Sequence, residues 1–216
     1  MQHRKLYAAA AAASAVVVST MAFTSPGSAS TDDGHSHRAF SARLNSLNDS
    51  GAHGSAHVHL DRTGKLDVNV RASGLSPRLV HAQHIHFGAE AIHECPNFKA
   101  DTNGDFRLNT AEGVPFYGPI AVSLTTRGDV SDGSGLAVER FPVADRRGHV
   151  TYKRADFRAP TQAILQGIKA GKGVVVVHGV DYNQNGKYDF ESAGASELNP
   201  KLPAEATDPV ACGLLR

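Results

Sequence analysis

The stretch Leu79-Val80-His81-Ala82-Gln83-His84-Ile85-His86-Phe87-Gly88 decides how the rest of the chain is read. Period-2 alternation puts His84 and His86 on one face of a strand and Ile85 and Phe87 on the other. Two imidazoles spaced in this way on a rigid strand can reach one metal ion, and imidazole suits copper or zinc. By itself a His-x-His pair reads as two surface histidines. The residues further along raise it: His93 and Cys95 close behind, His178 at the end of a valine run, and Cys212 near the C-terminus.

Outward from that strand, alternation recurs. Gly54-Ser-Ala-His-Val-His-Leu60 places Ala56, Val58 and Leu60 on one face and His57 and His59 on the other. Asp61-Arg-Thr-Gly64 is a turn, and Lys65-Leu-Asp-Val-Asn-Val70 returns with Leu66, Val68 and Val70 inward. This is a β-hairpin with its histidine pair facing solvent. Ile120–Thr126, Gly135–Phe141 and Gly148–Lys153 read as further strands, and Val174–Val177 as a buried one. Ala159–Lys169 holds the one expected short helix, capped by Thr161 and stopped by Gly171. Gly88–Tyr117 reads as long and irregular, and the remainder after His178 as Gly/Asn/Pro-rich loop down to Ala211-Cys-Gly-Leu-Leu215. Short strands, turn signals and little helix predict an all-β fold, an antiparallel Greek-key β-sandwich or barrel with long loops. A doubly wound α/β fold is excluded by the missing helices.

The N-terminus reads as an export signal. Arg4 and Lys5 precede an Ala/Val-rich apolar stretch from Leu6 to Phe23, and Ser28-Ala29-Ser30 offers a cleavage site. Residues 1–30 are therefore expected to be a signal peptide, and the protein to be secreted. Residues 31–50, polar and carrying His35-Ser36-His37, read as a flexible leader with one short amphipathic turn around Phe40 and Leu44. Residues 51–216 form a single domain. Formal net charge is +1, tryptophan is absent and basic residues are scattered, so there is no basic stacking surface for nucleic acid. No second apolar segment is long enough to span a bilayer. An exported chain with two cysteines is most simply disulfide-bonded. A Cys95–Cys212 bridge would contribute on the order of 4–5 kcal/mol in the chain-entropy picture.

Two loops have the oxygen spacing of calcium loops. Asp101, Asn103, Asp105, Asn109 and Glu112 occupy positions 1, 3, 5, 9 and 12 of the first, with Phe106 where a glycine is expected. Asp181, Asn183, Asn185 and Asp189 repeat the scheme with Gly186 at the sharp turn, but Ser192 stands where the bidentate carboxylate belongs. Ordinary Asn/Gly turns are the alternative for both. Serines lie outside any nucleophile-elbow setting, so a hydrolase is poorly supported.

The order His84-Ile-His86, Cys95, Val-Val-Val-His178 and Ala211-Cys212-Gly213 resembles the copper/zinc superoxide dismutase scaffold. Ser73-Gly-Leu…His84-Ile-His86 and Ala170-Gly…Val-Val-Val-His178 also resemble the blocks of secreted CHRD (chordin-type) domains. The first resemblance implies His84, His86 and His178 as copper ligands, Cys95 paired with Cys212, and superoxide-directed redox activity; His93, close by in the sequence, is a possible fourth ligand that the resemblance itself does not supply. It also has gaps. Asp101 stands where that family has its bridging histidine, the other zinc histidines have no counterparts, and Pro209 replaces the arginine that steers superoxide. The second implies a non-enzymatic extracellular module on the same fold, with calcium securing its loops.

Overall fold

The computed structural model describes residues 38–216. The signal peptide expected over residues 1–30 and the His35-Ser36-His37 part of the expected leader lie outside the described residues. Eight strands form one antiparallel sheet: β1 (Arg38–Ser46), β2 (His53–Leu60), β3 (Lys65–Ser73), β4 (Gln83–His86), β5 (Ile120–Ser123), β6 (Val150–Arg158), β7 (Val174–His178) and β8 (Pro209–Leu214). Their order is β5-β4-β7-β8-β1-β2-β3-β6, and the sheet curls into a half-barrel. The all-β class is as expected.

β1 is where the sheet turns over. It pairs with β2 from Arg38 to Leu44 but with β8 only at Asn45 and Ser46. One half (β1, β2, β3, β6) therefore faces the other (β5, β4, β7, β8) across a shared core. Leu44, Val58, Leu66, Val70 and Tyr152 from the first meet Ile85, Val122, Val175, Val177 and Ala211 from the second. Burial alternates along β2 and β3, so the outer face of that half meets water. The second half is covered on both faces: every residue of β4 and β7 is buried. Its outer face carries Val174, Val176 and Cys212, packed beneath Leu108, Tyr117 and Ala100 of the long β4–β5 connection. That double coverage explains the unbroken valine run, because a strand buried on both faces has no polar side to present.

Four expectations are corrected. Arg38–Ser46 belongs to the sheet and not to a flexible leader: Ala42 and Leu44 point into the core, and the backbone is paired on both sides. Gly135–Phe141 is not a strand. Local bonds such as Arg140 N–H to Ala137 O wind it into a 3-10 turn, Val138–Arg140, just after another, Asp132–Ser134, closed by Gly135 N–H to Asp132 O. The chain has more than one short helix. Besides α2 (Gln162–Lys169), capped by Thr161 as expected, α1 (Thr110–Tyr117) lies within the supposed irregular stretch and α3 (Ala204–Thr207) precedes β8. α1 starts with a capping box, the Asn109 side chain taking the Glu112 N–H and Glu112 reaching back to the Asn109 N–H. Finally, the stretch between His178 and Ala211 is not loop throughout: β8 already begins at Pro209.

Candidate metal centre

β4 places His84 and His86 on the outer face of the doubly covered half, opposite Val176 and Val174 of β7. Along β7 the same face carries Val174, Val176 and then His178, so the third imidazole arrives beside the first two from a neighbouring strand. Ring centroids are 5.0 Å apart for His84–His178, 5.5 Å for His84–His86 and 5.8 Å for His86–His178. One ligand nitrogen from each ring lies within 4.8 Å of those of the other two. Among the described residues this is the only group of three histidine, cysteine or carboxylate side chains so arranged. All three are buried.

Each ring spends one nitrogen on a backbone carbonyl. His84 Nε2 donates to Gly135 O at 3.0 Å, His86 Nδ1 to Gly118 O at 2.8 Å and His178 Nδ1 to Thr207 O at 2.7 Å. A neutral imidazole has one donor and one acceptor nitrogen, so these bonds fix the tautomer. The other nitrogens, His84 Nδ1, His86 Nε2 and His178 Nε2, are buried without a hydrogen-bond partner. Lone pairs buried in this way are costly unless something occupies them. Burial disfavours the charged form, and the rings repel one another's charge. Burial, and then His178, push His86 down to about 3; burial pushes His178 down to about 4 and His84 well below its ordinary value. The three rings are therefore neutral at neutral pH, the state a metal requires.

Two of the three carbonyls belong to glycines that nothing larger can replace without displacement. A Cβ on Gly118 would sit 2.6 Å from Gly88 N and 2.7 Å from Phe87 C, and its φ is +90°. A Cβ on Gly135 would sit 2.6 Å from Ile120 Cδ1. Close backbone approach is what these positions need. Tyr117 from α1 (centroid 4.5 Å from His86) and Phe141 (5.3 Å from His84) wall the site with aromatic edges.

His93 does not join the group. It stacks on Phe87, centroids 5.5 Å apart and planes 11° from parallel, one residue out of phase with His86. His81 was not singled out by sequence and is the more relevant neighbour. It is fully buried, with Nδ1 2.9 Å from His178 O and Nε2 3.0 Å from Ser76 O. It therefore pins the backbone of a candidate ligand rather than serving as one; its position three residues before His84 gave no periodic signal. His57 and His59 face outward from β2. Cys95 and Cys212 form the expected disulfide, with Cα atoms 5.7 Å apart, and it staples the covering connection to β8 beside the histidine strands.

The acidic loops share one hydrogen-bond plan. In the first, Asp101 accepts from Gly104 and Phe106 N–H, Asn103 from Asp105 N–H and Asp105 from Arg107 N–H. In the second, Asp181 accepts from Asn185 and Gly186 N–H, Asn183 from Asn185 N–H and Asn185 from Lys187 N–H. Phe106, at φ 63°, makes the turn that Gly186 makes at φ 83°. Glu112 closes the first loop, one oxygen taking Thr102 N–H and the other Asn109 N–H. The second is closed by a residue sequence reasoning missed. Buried Glu205 on α3 takes Tyr182 N–H with one oxygen and Asp189 N–H with the other, and also accepts from the Ser192 hydroxyl. It occupies the role of the absent carboxylate, supplied from outside the loop, where no spacing rule could find it. Buried Asp208 ties both loops together, accepting from Arg107 at 2.7 Å and from the Tyr182 hydroxyl at 2.8 Å. Asp101, Asp105 and Glu112 do not bring their oxygens together as the three histidines bring their nitrogens.

A family model, the CHRD domain, matches residues 40–187. A search of curated proteins finds no match to the chain. Among the described residues no helix is long and apolar enough to cross a membrane.

Proposed function

The chain belongs to the CHRD-domain family, and we propose that it is a secreted member that holds a transition-metal ion, copper or zinc, at His84, His86 and His178. One observation carries the reading: three neutral imidazoles, each fixed by a carbonyl on one nitrogen, leave their other nitrogens buried, close together and unpartnered. Ligand histidines in metal sites are held by such outer bonds. Three imidazoles suit either ion, and three protein ligands leave a fourth position open. Bound there, copper would supply one-electron chemistry and zinc a Lewis acid. The chain's own part is to keep the rings neutral, oriented and shielded from water. CHRD domains are extracellular, and the disulfide suits an oxidising compartment.

Calcium in the two acidic loops is the second part of the reading, supported by their common plan and by Glu112 and Glu205 in matching roles. Superoxide-directed redox activity is what the sequence resemblance to the dismutase scaffold would imply, and Pro209 stands where that family has the arginine that steers superoxide. The alternative, a non-enzymatic extracellular module, leaves the three free nitrogens unexplained. Metal analysis and titration of the purified protein with copper and with zinc test the reading. One equivalent bound by the wild type and lost in His178→Ala supports it; no uptake, or uptake indifferent to that substitution, refutes it. A superoxide assay on the copper-loaded protein then separates the redox reading from the module.

A further inference from the structure

The half of the sheet away from the histidine centre leaves one face to water, and strand register gathers there basic residues that are scattered in sequence. Arg43 of β1 and Arg71 of β3 lie opposite Ser55 of β2 from either side, so their Cα atoms are roughly 10 Å apart. In the next row Ser41, His57, Asn69 and Lys153 run side by side across β1, β2, β3 and β6. Arg43, Arg71 and Lys153 are exposed. Among the described residues none of the three has an ion-pair partner. Of the carboxylates on this half, Asp67 lies opposite His59 and accepts from the Asp156 N–H, and Asp156 pairs with Lys65. Basic side chains on an outermost strand such as β6 guard a sheet edge, but Arg43 and Arg71 stand on interior strands.

Ser41, His57, Asn69 and Lys153 also line a shallow trough of about 260 Å3. Asn69 Oδ1 is buried without a hydrogen-bond partner, an acceptor that a hydroxyl donor would satisfy. Arg154, which also lines the trough, is already committed, donating to Thr125 O and Gly128 O. The outward positions of these four strands carry no tryptophan, tyrosine or phenylalanine, so nucleic-acid bases have nothing to stack on. None of the large apolar side chains that reach solvent belongs to these strands, so a bilayer has nothing to hold. Cations interleaved with hydroxyl and amide groups suit a polymer that carries both anionic groups and hydroxyls. We infer that the outward face of β1, β2, β3 and β6 binds an anionic polysaccharide, sulfated or uronic. Arg43, Arg71 and Lys153 take its charged groups, and Asn69 takes a sugar hydroxyl. This inference is independent of the metal-site reading.

Titration of the purified protein with dextran sulfate and with polygalacturonate, at low and at higher salt, tests it and separates the two sources of charge. Saturable binding to at least one polymer, weakening as salt rises, is expected. Replacing Arg43 and Arg71 together by alanine should lower that affinity about tenfold or more and flatten its salt dependence. Both side chains are exposed, so the double variant should unfold in urea much as the wild type does. Asn69→Ala should lower affinity about threefold to tenfold while leaving the salt dependence unchanged, a result that charge alone would not give. Arg146→Ala and Lys201→Ala, exposed cations in loops outside this face, should leave affinity within about twofold. No binding to either polymer at low salt, or binding weakened equally by the Arg146 and Lys201 variants, overturns the inference. Polyglutamate or vesicles of anionic lipid bound as tightly as the polysaccharides overturn it too, because the face would then read charge without the sugar.

Discussion

Two His-x-His pairs sit on neighbouring halves of one sheet, and they differ in everything but sequence. His57 and His59 on β2 alternate with Ala56, Val58 and Leu60, whose side chains fill the core, so the imidazoles face outward. His84 and His86 on β4 alternate in the same way around Ile85, and their face also points away from the core. There the connection from Gly88 to Tyr117, stapled by Cys95–Cys212, covers it, and His178 arrives from β7. A strand motif therefore specifies a face, while the loop that lies over that face decides whether it becomes a site or a surface.

The largest expected consequence of that cover concerns pH. A histidine whose folded pKa is depressed takes up a proton in the unfolded chain before it does so in the native one, so stability is lost as pH falls below about 6.5. With His86 at about 3 and His178 at about 4, each should remove roughly 1.4 kcal/mol per pH unit between about 6.5 and 4. Urea unfolding of metal-free protein across that range measures it, and His86→Ala should flatten the slope; His57→Ala should not. Next, replacing Cys95 and Cys212 by alanine should cost on the order of 4–5 kcal/mol in the same assay, together with protease sensitivity in 88–117 rather than in the β2–β3 hairpin. Equal sensitivity in both would break the contrast.

Effects on metal binding come third. His84→Ala, His86→Ala or His178→Ala should each lower copper or zinc affinity by more than about 100-fold, exceeding what outer bonds supply. His57→Ala, His59→Ala and His93→Ala should leave it within about twofold. Calorimetric titration distinguishes these outcomes. The smallest effects sharpen the comparison most, because they act without touching a ligand. Gly118→Ala should lower affinity by about 10- to 100-fold through displacement of the carbonyl that orients His86. Gly135→Ala should do less, because the nearest atom its Cβ would meet, at 2.6 Å, is the end of the Ile120 side chain, with backbone no closer than Asp132 O at 3.1 Å.

What could be read in the sequence follows from the range of each signal. The β2–β3 hairpin, the valine strand, the Thr161-capped helix and the faces of His84 and His86 all rest on periodicity or on neighbours within a turn or two. That His178 would join them came only through resemblance, since the pairing of β4 with β7 spans ninety residues of chain. Phe40, Ala42 and Leu44 carried a two-residue period that the polar residues around them hid. Gly135–Phe141 was misread because apolar spacing cannot register the short-range carbonyl bonds that wind it. Glu205, Gly118 and Gly135 act through backbone groups remote in sequence, and no side-chain pattern announces such partners.

The double allegiance of β1 bears on how this protein can be shortened. A chain begun at Gly51, the boundary that composition alone suggests, would lack the strand that joins the two halves. It would also lose the mutual bonds between Ser41 and Arg216 that clasp the C-terminal end. β2 and β8 would then each present a bare edge, β2 along its whole length, and such edges recruit other chains. Self-association, rather than a smaller soluble domain, is what that trimming should yield.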